Sequence, residues 1–308
     1  MIELEHVTRR YGAAVAVADL SLAVGAGEFC VLIGGSGAGK STTLKMINRL
    51  VDASEGAIRV GGRDIRELEP AALRRRMGYV IQSIGLFPHW TVARNVGTVP
   101  ELLGWPAARI RDRTAALLAR LGLGPGEFLA KYPHQLSIGQ QQRVGIARAL
   151  AADPDILLMD EPFGALDPIT RMALQAEIAA IQQESGKTVI FVTHDIDEAL
   201  RLASRIAVME RGRLVQIGTP MELLTAPASE FVRDLVGGDD LGIKLLGVAT
   251  VASRLRAGET APGAPIAAAA SLRQALSRMA AEGRDRLAVV ASDGRPAGAI
   301  HLADLLRR

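Results

Sequence analysis

The residues Gly34-Gly35-Ser36-Gly37-Ala38-Gly39-Lys40-Ser41 combine a flexible backbone, a cation and a hydroxyl in one short loop. They fit the pattern G-x-x-x-x-G-K-[ST]. Glycines let the chain bend so that several N–H groups point at one anion. A helix starting there adds its dipole, which favours phosphate. Lys40 is placed to neutralise the outer phosphates and the Ser41 hydroxyl to hold Mg²⁺. An apolar run, Phe29-Cys30-Val31-Leu32-Ile33, precedes the loop, and a helix-like pattern, Thr43-Leu44-Lys45-Met46-Ile47, follows it. Strand, glycine loop and helix form the context this chemistry needs, which weakens the alternative of a chance glycine-rich turn. Far downstream, Ile156-Leu157-Leu158-Met159 runs into Asp160-Glu161. Four apolar residues before two acids put the acids at the C-terminal edge of a buried strand, beside the phosphate loop in such an architecture. Asp160 suits a Mg²⁺ shell, and Glu161 suits orienting and polarising an attacking water. Taken alone, a strand end with solvated acids explains the pair equally well.

These residues need a sheet to hold them. Strand-like runs at Glu28–Ile33, Met77–Ile81, Ile156–Met159, Val189–Val192 and Ile206–Glu210 alternate with helix-like runs, which predicts an α/β fold with a largely parallel sheet. Ile2–Val7 with Val15–Leu22 reads as a separate antiparallel layer. Between 83 and 150 the pattern turns helical, clearest at Ala107–Leu121 and Gln140–Ala151, and reads as a helical insert. Composition shifts at Gly237-Gly238-Asp239-Asp240. The expected division is therefore a domain over 1–236, a linker over 237–241 and a small α+β segment over 242–308, read as helix Ser271–Glu282, strand Arg286–Ala291, turn and strand Ala297–Leu302. The segment is short for an independent core.

The bulk composition excludes several classes. The chain has 308 residues, long enough for two domains, and 49% are hydrophobic but only 4% aromatic, so aliphatic side chains must fill the core. Basic and acidic residues number 36 and 33, and no concentrated basic stripe with interleaved aromatics marks a nucleic-acid surface. Cys30 is the only cysteine and reads as a buried thiol in a reducing compartment. Met1–Glu5 is not a signal peptide and no apolar run reaches a membrane span, so the chain is expected to be soluble, with any membrane role exerted through a partner.

Further motifs carry a family resemblance. Leu136-Ser137-Ile138-Gly139-Gln140, followed by Gln141-Gln142-Arg143-Val144, is similar to the signature of ABC-transporter ATPase subunits, and the resemblance covers roughly the first three quarters of the chain. It implies an ABC-type P-loop NTPase with an antiparallel β layer and a helical insert, plus a CBS-like C-terminal segment. It implies ATP and Mg²⁺, with the loop residues Gly34 to Thr42, Thr42 included, around the phosphates. Tyr11 resembles the aromatic that stacks on adenine. Gln82 resembles the glutamine that senses Mg²⁺ and the γ-phosphate, Asp167 belongs to a loop crossing the dimer interface, and His194 resembles the switch histidine. Ser137, Gly139 and Gln140 would complete the ATP site of an opposite subunit, because a helix beginning near Gln140 offers its N-terminus to an anion. One residue departs from the pattern: Ile138 stands where the family has its first glycine. Its β-branched side chain is expected to cost backbone freedom next to a phosphate.

Glu161-Pro162-Phe163-Gly164-Ala165-Leu166-Asp167 is similar to import-type members. Gln82-Ser83-Ile84-Gly85-Leu86-Phe87-Pro88-His89-Trp90 resembles the quaternary-amine importers of glycine betaine, choline or carnitine. Ser271-Leu272, Leu287–Val290, Gly298 and Asp304-Leu305 resemble one CBS motif, whose arginines (Arg254, Arg256, Arg273, Arg278, Arg284, Arg286, Arg307, Arg308) would form a basic surface. The resemblance implies a homodimer of ATPase subunits, two integral membrane permease subunits, an extracytoplasmic solute-binding protein, no nucleic acid, and a peripheral place on the cytoplasmic face of the cell membrane. Importers of a polyamine, amino acid or anion are the competing reading. A soluble ABC ATPase acting on DNA or ribosomes fits less well, because the chain holds one cassette and no sustained heptads. A sensor without hydrolysis is at odds with the intact Glu161 and His194.

Overall fold

The computed structural model describes residues 1–305, and these divide into two compact units: Met1–Glu198 with Leu202–Ile217, and Ala199–Arg201 with Gly218 onward. Elements are numbered in chain order.

Unit 1 begins with β1 (Ile2–Tyr11), β2 (Ala14–Val24) and β3 (Phe29–Ile33), then α1 (Lys40–Ile47), β4 (Glu55–Val60), β5 (Arg63–Asp64), α2 (Pro70–Arg75) and β6 (Met77–Val80). The helical insert follows as α3 (Val92–Leu102), α4 (Ala107–Arg120), α5 (Pro125–Phe128) and α6 (Ile138–Ala151). Then come β7 (Ile156–Asp160), α7 (Pro168–Ser185), β8 (Thr188–Val192), α8 (Ile196–Leu202), β9 (Arg205–Glu210) and β10 (Arg213–Gly218). Two sheets result. The outer one has the order β2-β1-β4-β5 and its pairs are antiparallel. The inner one has the order β10-β9-β3-β8-β7-β6, with β3, β6, β7, β8 and β9 parallel.

Every residue of β3, β7 and β8 is buried, which is why these strands read as unbroken apolar runs rather than alternating ones. Aliphatic residues of both sheets and of α1 share one core. Three buried rings cluster apart from that core, with Phe191 5.5 Å from Phe163 and 6.0 Å from Phe29, centroid to centroid. Parallel strands end together, so the segments after β3, β7 and β8 emerge on one edge of the sheet.

Unit 2 holds α9 (Pro220–Thr225), α10 (Glu230–Val236), α11 (Leu241–Val248), β11 (Arg256–Ala257), β12 (Ile266–Ala267), α12 (Leu272–Glu282), β13 (Arg286–Val290), β14 (Pro296–His301) and α13 (Leu302–Leu305). Its sheet runs β11-β14-β13-β12, and Leu272, Ala275, Met279, Leu287, Val289 and Ile300 pack in a core of their own. Three expectations change here. Residues 218–236, read as the end of the first domain, group with the second unit. The expected linker is a helical turn, Gly238–Asp240, that runs straight into α11. Four of the arginines expected to form a basic surface have internal partners: Arg256 grips the buried Asp304 carboxylate through two bonds of 2.9 Å, Arg254 donates to the Asp304 and Leu305 carbonyls, and Arg278 and Arg284 flank Glu282. Arg307 and Arg308 lie outside the described residues.

Candidate functional site

The loop between β3 and α1 is shaped by its glycines. Gly34 and Gly39 have φ of 151° and 93°, and a Cβ on either would lie 2.0 Å from the Met209 carbonyl oxygen or 2.5 Å from that of Ala16. No side chain caps the N-terminus of α1, so its N–H groups stay available to a ligand. Lys40 is 7% exposed and donates from Nζ to the carbonyls of Gly34 and Gly35 at 2.8 and 2.9 Å. Burial pulls its pKa down, against the raising effect of the Glu161 and Asp160 carboxylates.

The acids at the end of β7 meet this loop. Asp160 Oδ1 accepts the Ser41 hydroxyl at 2.7 Å. Burial raises the Asp160 carboxyl pKa, only partly offset by that bond. The same burial, with Asp160 nearby, pushes the neighbouring Tyr79 phenol up to about 12. Glu161 leaves the strand at φ 45°, a left-handed conformation costly for a residue with a side chain, and its N–H is pinned to the Val192 carbonyl at 2.9 Å. That pin brings Glu161 beside the loop after β8. Its carboxylate accepts from Gln82 Nε2 at 3.0 Å and lies 3.4 Å from His194 Nδ1. Lys40, Ser41, Gln82, Asp160, Glu161 and His194 therefore form one constellation at the sheet edge.

A divalent cation fits the donors at Ser41 and Asp160. They are hard oxygens already in contact, the donor type that suits Mg²⁺ with phosphate and water as its other ligands.

Ser137, Gly139, Gln140 and Asp167 are not part of this constellation. They line a separate open cleft of about 500 Å³ with Ile138, Arg143, Ala165, Leu166 and Thr170. The helix α6 starts at Ile138, not near Gln140, so Ile138 is its first residue and takes no left-handed φ. The side chain thus costs no backbone strain there; it is 56% exposed and adds bulk at the cleft instead. Ser137 Oγ accepts from the Gln140 N–H while Gln140 Oε1 accepts from the Ser137 N–H, a reciprocal cap that leaves the hydroxyl proton free to donate. Asp167 caps α7 by accepting from Ile169 and Thr170 N–H at 3.1 and 3.0 Å. The hydrogen bond from Thr170 holds its carboxyl below the usual range. Tyr11 lies at the end of β1, 47% exposed, with the Arg9 guanidinium 4.4 Å over its ring.

Two side chains absent from the motifs shape the segment after Gln82. Ile84 and Gly85 both take positive φ, 64° and 59°, and Arg148 of α6 donates to their carbonyls at 3.3 and 2.7 Å. Asn95, fully buried, accepts from the Phe87 N–H at 2.8 Å and donates to the Phe87, Trp90 and Thr91 carbonyls at 3.1 Å. Phe87 is left 39% exposed, with its ring 4.3 Å from that of Trp90.

Comparisons with known proteins point to one family. Residues 17–164 match the model of the ABC transporter family, and 264–308 match that of the CBS domain. The chain is 56% identical over 306 residues to the glycine betaine uptake system ATP-binding protein YehX of Escherichia coli, covering 99% of both chains. It is 52% identical over 242 residues to the glycine betaine/carnitine/choline transport ATP-binding protein OpuCA of Bacillus subtilis, over 78% of this chain and 63% of that one. A solved dimeric structure of a bacterial ABC transporter cassette superposes with a TM-score of 0.66 at 36% identity, covering 71% of this chain and 99% of that one. A post-hydrolysis dimer of the same cassette, bound to ADP and Pi, matches with a TM-score of 0.66 at 34% identity, over 71% of this chain and 99% of that one.

Proposed function

The chain belongs to the ABC transporter family of ATP-binding subunits, and from that premise we propose that it hydrolyses ATP to drive import of glycine betaine or a related quaternary amine. The observation that carries the proposal is the constellation at the sheet edge, in which Glu161 sits between Gln82 and His194 and one residue from the Asp160–Ser41 pair. The relatives named for glycine betaine uptake support the substrate.

ATP is the substrate. Its triphosphate lies along the N–H groups of Gly34 to Thr42, with Lys40 exchanging its two loop carbonyls for phosphate oxygens. Its adenine stacks on the face of Tyr11 left open by Arg9. Ser41 and Asp160, together with Gln82, would hold Mg²⁺, which would supply charge neutralisation on the phosphates. Glu161 accepts a hydrogen bond from the attacking water and orients it, while His194 donates to the γ-phosphate as charge develops there. Two chains bind head to tail, because Ser137, Gly139, Gln140 and Asp167 face a cleft that no residue of the phosphate loop lines. Each copy supplies that cleft to the nucleotide of the other. ATP binding then favours the closed pair, and hydrolysis releases it.

Among the described residues no helix is long and apolar enough to cross a membrane. Transport therefore runs through permease subunits, which dock on the surface of 82–96 around Leu86, Phe87 and Trp90. Residues from about Gly242 onward modulate transport and are dispensable for hydrolysis, since every residue of the constellation precedes them. Uptake of radiolabelled glycine betaine, choline, a polyamine and methionine, in cells with and without this chain, tests the substrate. Loss confined to the quaternary amines is expected. Loss of polyamine or methionine uptake with glycine betaine uptake intact overturns it.

A further inference from the structure

Behind His194 lies a buried polar network that none of the roles above uses. Glu198, in the first turn of α8, is 6% exposed. Its carboxylate accepts the Thr193 hydroxyl at 2.7 Å and Gln175 Nε2 of α7 at 3.0 Å. Arg171, one turn into α7, faces the same carboxylate with Nε 3.9 Å away. Its guanidinium reaches two loops at once. Nη2 donates to the Leu166 carbonyl at 3.3 Å, and Nη1 lies 3.5 Å from Asp195 Oδ2. Thr193 and Asp195, the two neighbours of His194, are thereby both tied down, and the Asp195 N–H donates to Thr193 Oγ1 at 3.0 Å. The His194 side chain stays 66% exposed.

One contact in this network is open. Arg171 Nε is buried without a hydrogen-bond acceptor, since 3.9 Å to Glu198 exceeds hydrogen-bonding reach. A movement of roughly 1 Å would complete a charge-assisted bond there. The loop that would impose such a movement is 165–167, whose Leu166 carbonyl Arg171 already holds and whose Asp167 borders the cleft left for the second copy.

We infer that Arg171 and Glu198 are positioning residues that set where His194 stands in response to the loop carrying Asp167. Engagement of that loop by a second copy shifts Arg171, and the carboxylate of Glu198 passes the shift to Thr193 and so to the histidine. The inference rests on the proposed contact of His194 with the γ-phosphate. A role in joining α7 to α8 alone would instead lower stability without singling out the histidine.

A double-mutant cycle on the full-length chain separates the two. Steady-state phosphate release and equilibrium ATP affinity are measured for Glu198→Gln, Arg171→Gln and His194→Ala, and for each of the first two combined with His194→Ala. Each single variant should lose about tenfold or more in kcat, with ATP affinity within about twofold of the native chain. In the His194→Ala background, the added substitution should change kcat by less than about twofold. Losses that multiply, or native turnover in Glu198→Gln and Arg171→Gln, overturn the inference while the histidine keeps its role. Native turnover in His194→Ala overturns that role and the inference together. Should Glu198→Gln fail to fold, Arg171→Gln, at a side chain 31% exposed, carries the cycle alone.

Discussion

Alanine placed in turn at four glycines of the phosphate loop should yield a graded series, because the structure makes four different demands on them. Gly35 has no positive φ, and a Cβ there meets nothing within 4 Å. Gly35→Ala should be neutral or stabilise by about 0.5 kcal/mol through the unfolded chain. Gly37 has φ 76° in open space, so alanine pays only the left-handed conformation, about 1 kcal/mol. Gly39 combines φ 93° with a Cβ 2.5 Å from the Ala16 carbonyl oxygen and 3.1 Å from Val17 Cγ2. Conformational cost and overlap together come to about 2–5 kcal/mol. Gly34 is tighter still, with its Cβ 2.0 Å from the Met209 carbonyl oxygen, and lies at or beyond the top of that range. At about 2 °C per kcal/mol for a chain of this size, thermal unfolding without nucleotide resolves every step but the last, between Gly39 and Gly34. A Gly35→Ala midpoint as low as that of Gly39→Ala would refute the reasoning. So would a Gly34→Ala midpoint equal to the native one.

Asp160→Asn should raise the melting temperature of the unliganded chain at neutral pH. A carboxyl whose folded pKa is raised by burial adds stability below its unfolded value, and that stability is lost as pH climbs through the folded pKa; the amide escapes this loss and its oxygen can still accept from Ser41. The gain should shrink as the pH falls toward the ordinary carboxyl value of 3.8, and a lower melting temperature at neutral pH contradicts the sign. Cys30 is fully buried and its thiol is pushed up to about 12, so thiol reagents should label it only in denaturant; rapid labelling of the folded chain would show the strand to be open. Because Cys30 is the only cysteine, cysteines introduced at Leu86 and Trp90 report alone. Their cross-links to the permease should change with nucleotide, and no cross-links in an active complex would remove that surface from docking.

What could be read from the sequence was local. The phosphate loop announces itself because its demands, glycines, a lysine and a hydroxyl, are met within one turn of chain. β3, β7 and β8 were legible because burial on both faces forces continuous apolar runs. The start of α6 is marked directly by Ser137-x-x-Gln140, a capping-box pattern that puts the first helical residue at Ile138. Thr219-x-x-Glu222 carries the same signal for α9, and the helices after it draw residues 218–236 into unit 2. Gly237-Gly238 reads as a linker because glycine pairs are compatible with turns and linkers alike. β11 and β12 are two residues each, too short for any period to show. Arg148, Arg171 and Glu198 remained invisible for another reason: what they hold lies on other elements, up to 64 residues away for Arg148, and nothing near them in sequence names the partner.

Phosphate release from Mg²⁺-ATP by the native chain and by Glu161→Gln, followed over a range of protein concentration, tests the central claim most directly. The glutamine keeps the shape of the side chain and can still accept from Gln82, but loses the carboxylate that polarises water. The native rate per subunit should rise with protein concentration, because the site needs a second copy. Glu161→Gln should bind ATP, accumulate as a closed dimer and turn over about 10²–10⁴-fold more slowly. Native turnover in Glu161→Gln, or a rate per subunit independent of concentration in a chain that stays monomeric with ATP, would contradict it.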